Sequence, residues 1–357
     1  GQQDVQLVLR GPYAACPAAL AEAVPDAVYI PEWECSGGYQ PVALKKLATS
    51  LSLPGGHVGV TLDGEADLPA PAIVPDRPRL FIDAQHGLGN RMRAIGSAAA
   101  IAEATDRELV IVWEPDHHCE GRLSDLFDYD GAVIEEAFVG EAVERGCKVY
   151  NYMEIEEGSQ KDAPLDLGWS GDIYARAAYV LNAAPSTWER ENRFLQSLTP
   201  VQAVHDLVAG VRTPNDISAH VRMVGSPGTD TASYDRAENW TADGHDQIHH
   251  WREKSHYANF IKRIDTLTTE GRAERIFLAA DKPETYDAFT QTFGDRVAYL
   301  PRDLYDRSVE QLRYALADAI LLGSAPRLLG STWSSFSELA MRLSPQKMGI
   351  EMSGKDF

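Results

Sequence analysis

Four short segments of the sequence carry residues suited to binding anions, and each lies at the end of an apolar run typical of a β-strand. The first is HGLGNR (86–91), after RLFIDA (79–84). Its glycines permit a tight turn, and the helix predicted to begin here points free N–H groups and its positive dipole end toward that turn. Arg91 adds a positive charge. The segment therefore predicts an anion site, with a purely structural turn as the alternative.

The other three segments lie in the C-terminal half. In HVR, Arg222 ends a strand, and its guanidinium can bind two phosphate oxygens at once or pair with a surface carboxylate. Asp281 ends IFLAAD, where its carboxylate can accept two N–H groups of a guanine edge or cap the next helix. STWSS (331–335) precedes a helix and predicts a second anion cradle, or a capping box formed by Ser335 and Glu338.

The first segment also matches part of a dinucleotide-binding fingerprint. Its glycines have G-x-G spacing, and Glu114 ends the next strand, where such proteins place a ribose-binding acid. The third glycine position holds Met92, a large side chain where the helix should press against the sheet. An NAD(P)-dependent oxidoreductase is therefore kept as the weaker alternative.

The elements predicted around these segments alternate between strand and helix. RLFIDA, an Ala-rich helix with apolar residues at three- and four-residue spacing from Met92 onward, and ELVIVW (108–113) make one βαβ unit. A second alternating run starts at NDISAHVRM (215–223), continues through RIFLAAD and ends at RLLGSTWSS (327–335). Parallel sheets of this kind bind ligands beyond the carboxyl ends of their strands. We therefore predict an α/β protein with two such halves.

The same patterns predict the domain boundaries. The predicted domains are 1–78, 79–213 and 214–357. The first is an α/β extension with strands VQLVLR, AVYIPE and HVGVTL and a helix at 42–51, and it ends in a Pro-rich, acidic connector. The other two are Rossmann-like domains. The middle of the chain predicts helical segments around 131–145 and 188–209, and a loop is predicted at 224–247.

Composition argues against several functional classes. With 357 residues, 44% apolar and 24% charged, the chain has the composition of a folded protein of about two domains. Its net charge of −20 repels phosphate backbones and anionic membranes, so nucleic-acid binding is not expected, and an anionic ligand needs a local cluster of donors. No apolar stretch is long enough for a membrane span, and no signal peptide is visible, so the compartment stays open.

No metal site is predicted from the cysteines or the histidines. The cysteines, none of which forms a CxxC pair, are Cys16, Cys35, Cys119 and Cys147. Free thiols and disulfides both remain open for them. The DYD sequence at 128–130 imitates a metal-binding DxD motif, and the histidine pairs at 117–118 and 249–250 lack the further ligands of a zinc site.

Taken together and in this order, the segments resemble the fucosyltransferase superfamily, which includes the nodulation and core alpha-1,6-fucosyltransferases and the protein O-fucosyltransferases. The resemblance is carried by GLGNRMRAI, the acidic turn RLSDLF (122–127), HVR, LAAD and STWSSFSELA, and it covers residues 79–345. It implies a GT-B-like fold of two facing Rossmann-like domains, the first on the acceptor side and the second binding the nucleotide sugar. The implied reaction is inverting and metal-independent, without a cofactor. It transfers fucose from GDP-fucose to a hydroxyl of a glycan or protein.

The resemblance also implies roles for individual residues. Arg222 and His220 would bind the diphosphate, with Arg222 stabilising the leaving group, and Asp281 would read the guanine. The residues implied to line the donor cleft or hold phosphate oxygens are Gly87, Gly89, Asn90, Arg91, Thr332, Ser334 and Ser335.

The catalytic base and the acceptor are less determined. A base must reach the acceptor hydroxyl, and His86 is the first candidate because its turn faces the cleft in a GT-B arrangement, with Asp235 and Glu238 as alternatives. The alpha-1,6 enzymes carry a second arginine directly after HxR, where this chain has Met223, so the acceptor and the linkage stay open. A non-catalytic sugar- or partner-binding protein of the same fold is the remaining alternative.

Overall fold

The computed structural model describes residues 77–224 and 241–357, together with the backbone of three strands in the earlier part of the chain. The chain divides into two compact units, Gly1–Pro75 and Asp76–Phe357. Among the described residues, no helix has the length and apolar character needed to cross a membrane.

The first unit contains an antiparallel sheet. Its central strand β1 (Val5–Arg10) pairs with β2 (Ala43–Leu44) and β3 (His57–Leu62). The predicted strands VQLVLR and HVGVTL are confirmed. The helix predicted over 42–51 is wrong where it can be compared, because Ala43 and Leu44 pair with β1. The predicted strand AVYIPE, the rest of 42–51, Cys16 and Cys35 lie outside the described residues.

The second unit begins with a parallel five-stranded sheet. Its strands are β4 (Arg79–Ala84), β5 (Glu108–Val112), β7 (Ala132–Ile134), β8 (Lys148–Asn151) and β9 (Ile173–Ala177), in the order β7-β5-β4-β9-β8. The helices of this half are α1 (Leu88–Ala104), α2 (Val139–Glu144), α3 (Trp188–Ser197) and α4 (Gln202–Ala209). Two short strands, β6 (Phe127–Asp128) and β10 (Thr199–Pro200), form a separate antiparallel pair.

A second parallel five-stranded sheet follows. Its strands are β11 (Ile217–Val221), β12 (Ile276–Ala280), β13 (Val297–Ala298), β14 (Arg327–Gly330) and β15 (Gly349–Met352), in the order β13-β12-β11-β14-β15. The helices of this half are α5 (Ala242–Lys254), α6 (Tyr257–Thr269), α7 (Pro283–Phe293), α8 (Val309–Ser324) and α9 (Ser335–Leu343). This strand order is that of a Rossmann-type sheet. The predicted α/β architecture of two Rossmann-like halves is confirmed.

The central strands are buried on both faces, as their apolar sequences require. All five residues of β11 are buried, and so are all residues of β4 except Arg79. One core of buried side chains combines both halves, with Ile82 and Met92 from the first and Leu316 and Leu328 from the second. The two halves are therefore packed together rather than joined only by a linker.

Several sequence predictions need correction. The helix predicted at 131–145 is the strand β7 followed by the shorter helix α2. The helix predicted at 188–209 is interrupted at β10, where Pro200 cannot donate the hydrogen bond that a helix interior needs. Part of the loop predicted at 224–247 is helical, since α5 begins at Ala242, and residues 225–240 lie outside the described residues. Strands β8, β9 and β15 were not predicted.

Two of the four cysteines lie in the described part of the chain. Cys119 and Cys147 are buried free thiols. Burial raises the pKa of the Cys119 thiol to about 11, so it stays protonated at neutral pH.

Candidate functional site

The site lies where the strand order of the second sheet reverses, between the carboxyl ends of β11 and β14. The chain leaves β11 at Arg222 and leaves β14 at Ser331. The Arg222 backbone N–H donates to Ser331 Oγ over 2.9 Å, and Ser331 Oγ donates to the His220 carbonyl oxygen, also over 2.9 Å. Two of the predicted anion-binding segments are thus joined directly. Open α/β sheets bind ligands at this kind of position.

The first turn of α1, in the other half of the unit, contacts the start of α9 at Gly89. A Cβ atom on Gly89 would lie 2.7 Å from both the carbonyl carbon and the carbonyl oxygen of Ser335, the first residue of α9. Only glycine allows that approach. The beginnings of α1 and α9 therefore touch, and neither helix has a side chain that caps its N-terminal N–H groups. Two positive helix ends converge here.

Arg222 is paired with Asp281 at the neighbouring strand end. Arg222 Nη1 lies 2.9 Å from Asp281 Oδ2, and the backbone N–H groups of Met223 and Val224 donate to the same carboxylate over 2.9 and 2.8 Å. The helix-capping alternative for Asp281 is wrong, because Lys282 is the N-cap residue of α7 and no side chain caps that helix. Asp281 instead orients the Arg222 guanidinium and fixes the chain that follows β11.

His220 contacts the first turn of α9 from the buried interior. Its ring is buried, its Nδ1 lies 2.7 Å from Ser337 Oγ, and its ring centroid lies 4.9 Å from that of Phe336. Burial lowers the pKa of His220 to about 3, so the ring is neutral at neutral pH. It contributes a neutral hydrogen-bonding group to the site, not a positive charge.

Arg91 is buried and holds its own turn together. Its Nε donates to the His86 carbonyl over 2.7 Å, its Nη1 donates to the Glu114 carbonyl over 2.8 Å, and its Nη2 lies 3.1 Å from Asp116 Oδ2. The guanidinium also lies over the ring of Trp113. With its side chain fully buried, Arg91 determines the shape of the turn.

His86 occupies the turn that Arg91 shapes. Its φ of 65° is left-handed, a conformation that non-glycine residues adopt mainly where the surroundings impose it. Burial is the main reason that the pKa of His86 falls below its usual 6.5, and the Arg91 charge lowers it further, while Asp116 opposes the shift. The ring of His118 lies 5.0 Å away between centroids. His86 is therefore a neutral imidazole at the edge of the site at neutral pH.

The STWSS turn is anchored on one side and partly exposed on the other. Thr332 is buried, and its Oγ1 donates to the Ser353 carbonyl over 2.7 Å. Ser334 and Ser335 are partly exposed at the start of α9. The predicted capping box is wrong, because Glu338 pairs with Arg93 at 2.5 Å rather than with the helix start. The N–H groups at this helix start therefore stay available for an anion.

Sequence reasoning missed two groups of charged residues. Arg252 on α5 is buried, and both of its terminal nitrogens lie 3.5 Å from the Trp333 carbonyl oxygen. In the first half, the buried Asp83 carboxylate accepts from Tyr174 over 2.5 Å and from Arg176 over 2.8 Å. Both groups were missed because α5, which carries Arg252, and β9, which carries Arg176, were not predicted from their sequences.

The described residues hold no group of three or more His, Cys, Asp or Glu side chains placed to bind a metal ion. The alternative bases Asp235 and Glu238 and the aromatic residue Trp240 lie outside the described residues.

Comparisons with known proteins give matches among solved structures only. No family model matches the chain, and no curated protein matches it. The fucosyltransferase NodZ from Bradyrhizobium matches with a TM-score of 0.49 and 16% identity, over 75% of this chain and 94% of that chain. The NodZ alpha-1,6-fucosyltransferase soaked with GDP-fucose matches with a TM-score of 0.48 and 16% identity over the same shares. POFUT1 in complex with GDP matches with a TM-score of 0.49 and 15% identity, over 78% of this chain and 99% of that chain.

Proposed function

We propose that the protein is a glycosyltransferase that takes fucose from GDP-fucose and transfers it to a hydroxyl group of a glycan or protein. The observation that carries this proposal is the convergence of two uncapped helix starts beside Arg222, at the point where the strand order of the second sheet reverses. Such a site suits a diphosphate in an otherwise strongly acidic protein. The identity of the donor comes from the sequence resemblance.

Catalysis in this proposal depends on stabilising the departing diphosphate. Arg222 and the N–H groups at the starts of α1 and α9 are fixed before the donor arrives, so they need little reorganisation as negative charge develops on the leaving group. Asp281 keeps the Arg222 guanidinium in place at the strand end, where its charge can act on a phosphate. The transfer we propose is inverting and metal-independent, because these groups can carry the leaving-group charge themselves.

The remaining site residues divide between contact and support. We assign Gly87, Gly89, Asn90, Ser334 and Ser335 to the phosphate-facing surface, because they form the two helix starts. Arg91, His220 and Thr332 support these contacts from buried positions. In this proposal Asp281 positions Arg222. Whether its carboxylate also binds the guanine base is a separate test.

His86 is the residue we propose as catalytic base. It is neutral at neutral pH, it lies in the turn that opens α1, and the acceptor-side half contributes it. A neutral imidazole can take the proton of the acceptor hydroxyl as that oxygen attacks the anomeric carbon. The proton leaves with bulk water after the product departs.

The first alternative, an NAD(P)-dependent oxidoreductase, is disfavoured by α1 itself. Met92 is fully buried in the core at the position where the dinucleotide fingerprint needs its third glycine. A thermal-shift panel of GDP, UDP and NAD separates the two functions. GDP at about a hundred times its Kd should add about 2.7 kcal/mol to the free energy of unfolding, and NAD should add nothing.

The test of catalysis uses Arg222→Ala with Arg190→Ala as a matched control, since Arg190 is an exposed arginine on α3. Release of GDP from GDP-fucose should fall by about 10²–10³ in Arg222→Ala, as expected for loss of a charged group that stabilises the leaving group. The control should keep the wild-type rate. An Arg222→Ala protein that retains half of the activity would refute the assignment, and a wild type that never turns over GDP-sugars would favour the non-catalytic binding protein.

A further inference from the structure

Trp333 is a large aromatic side chain held in an unfavourable backbone conformation at the candidate site. Its φ is 61°, in the left-handed region where the Cβ atom of a bulky residue crowds the following carbonyl oxygen. Its side chain is nevertheless 47% exposed, so burial of the indole in the core does not account for the conformation. Residues kept in such conformations concentrate at functional sites.

Contacts of Thr332 and of the Trp333 carbonyl oxygen hold the backbone of this turn in place. The preceding residue, Thr332, is anchored by its hydroxyl to the Ser353 carbonyl over 2.7 Å. The Trp333 carbonyl oxygen itself faces the buried guanidinium of Arg252, with both nitrogens at 3.5 Å. The turn cannot relax without breaking these contacts. The backbone that carries the indole is therefore fixed in advance of any ligand, which a binding platform needs.

The chemistry of a nucleotide sugar indicates which of its rings meets this indole. The pyranose is bonded through its anomeric oxygen directly to the second phosphate, whereas the base is separated from that phosphate by the first phosphate and the ribose. Trp333 lies two residues before Ser335, at the helix start proposed to hold the diphosphate. The ring closest to a phosphate held there is the pyranose. Aromatic side chains supply a rigid apolar face for such a ring.

We propose that the indole of Trp333 packs against the pyranose ring of the nucleotide-sugar donor and contributes to recognition of the sugar. This inference rests on the proposed function, because it takes the donor diphosphate to lie at the start of α9. It assigns a specificity-determining role to a residue that the sequence motifs leave without one.

The test compares the affinities of GDP and GDP-fucose, measured by titration calorimetry on the full chain. The ratio Kd(GDP)/Kd(GDP-fucose) should fall about three- to tenfold in Trp333→Leu and Trp333→Gly, the size expected for losing one aromatic contact. Trp333→Phe should restore most of the ratio. Trp169→Leu is the matched control, because Trp169 is also exposed, at 40%, and lies in the other half.

Trp333→Gly also separates recognition from folding. Glycine prefers the left-handed backbone that this position requires, so this variant should unfold at or above the wild-type Tm. An unchanged Kd ratio in Trp333→Leu overturns the inference, and so does an equal weakening of GDP and GDP-fucose. If the wild-type protein binds neither ligand, the proposed function is refuted, and this result is obtained before any variant is compared.

Discussion

His86 is partly buried and His220 is buried near the same site, and their surroundings suit the two imidazoles to different tasks. His220 has its Nδ1 engaged by Ser337 and a pKa of about 3, so it is neutral throughout the pH range in which the protein is expected to work. His86 lies in the partly buried turn before α1, where burial lowers its pKa below the usual 6.5. Of the two, His86 is the imidazole proposed to exchange a proton with the acceptor.

This difference predicts the pH dependence of fucose transfer. Because burial lowers the pKa of His86 below 6.5, the proposed base is neutral at neutral pH, and kcat should fall only as the pH drops through that lowered pKa. His86→Gln should lower kcat by about 10²–10⁴ and remove the acidic limb of the profile. A pH series of kcat for both proteins, at saturating GDP-fucose, provides the measurement.

Neighbouring groups serve as controls in the same series. His118 has a pKa of about 4, below the range that matters, so its titration does not imitate that of His86. The affinity for GDP should stay constant between pH 6.5 and 8 in both proteins, since neither the base nor His220 changes charge there. An acidic limb that persists in His86→Gln would assign it to another group and remove His86 from the mechanism.

The two arginines singled out from the sequence show how far residue type alone can predict a role. Arg91 lies in the first turn of α1 and Arg222 directly after β11, and both were expected to face an anion. Arg91 is fully buried, with three partners that shape the His86 turn. Arg222 keeps 19% of its side chain exposed beside Asp281. The difference comes from tertiary contacts with Trp113 and Glu114, which local sequence does not reveal.

At the scale of elements, the close contact between α1 and α9 gives the glycine pair unequal importance. A Cβ atom on Gly89 would collide with the Ser335 backbone at 2.7 Å, whereas one on Gly87 would meet only the His118 carbonyl oxygen at 3.9 Å, an ordinary contact. Gly89→Ala should therefore push the two helix starts apart. We expect it to destabilise the protein by about 1–3 kcal/mol, the usual cost of overpacking.

Gly87→Ala is the matched control for this prediction. Its φ of −71° is open to any residue, so the substitution should leave the unfolding free energy within about 0.5 kcal/mol of wild type. Urea unfolding of the two variants measures the difference. GDP binding should weaken more in Gly89→Ala than in Gly87→Ala, because only Gly89→Ala forces the two helix starts apart. Equal stability of the two variants would show that the helix starts are not in contact.

The elements that could be predicted from sequence are those with a strong local pattern. β4 was predicted to the residue, and β11 and β12 were predicted to within a few residues, because continuous apolar runs mark them clearly. The βα turns that follow them therefore placed HVR and STWSS correctly at strand ends. The prediction of a structural role for Glu338 in capping failed, since Arg93 comes from the other half of the unit.

Elements with weak local patterns were not predicted, and the contacts of the residues in them were therefore missed. β9 has the mixed sequence IYARA, and its place in the sheet comes from pairing with β4 on one side and β8 on the other. Arg176 lies in β9, so its contact with Asp83 could not be predicted. α5 is rich in polar residues and was not predicted, so the contact of its residue Arg252 with Trp333 was not predicted either. Long-range pairing decides these elements, and a single sequence does not show it.

At the scale of the whole molecule, the acidic surface contrasts with the local charge at the site. The chain carries a net charge of −20, so the anionic donor proposed above would meet a repulsive field at long range and would depend on Arg222 and the two helix starts at short range. Two ion pairs, one buried and one partly exposed, also connect the halves of the second unit. Arg342 lies 2.5 Å from Glu191, with both side chains 1% exposed, and Glu338 joins Arg93. Such pairs add little net stability but constrain geometry.

The shared core predicts that the two halves of Asp76–Phe357 unfold together. Ile82 on β4 and Leu316 on α8 are both fully buried in one apolar cluster that combines the two sheets. Ile82→Ala and Leu316→Ala should each cost about 2–5 kcal/mol, as is usual for truncation in a core. Because the cluster is continuous, each variant should lower the temperature of the same calorimetric transition.

Lys347→Ala, an exposed substitution, is the control and should leave that transition in place. Near-ultraviolet circular dichroism follows the tertiary packing of both halves and should lose its signal at one temperature in every variant. If Ile82→Ala moved one transition and Leu316→Ala a different one, the halves would be independent folding units. The helix starts that form the site could then separate without unfolding. A single transition instead means that the site is preorganised by the same packing that stabilises the unit, which is what a fixed electrostatic cradle for a leaving diphosphate needs.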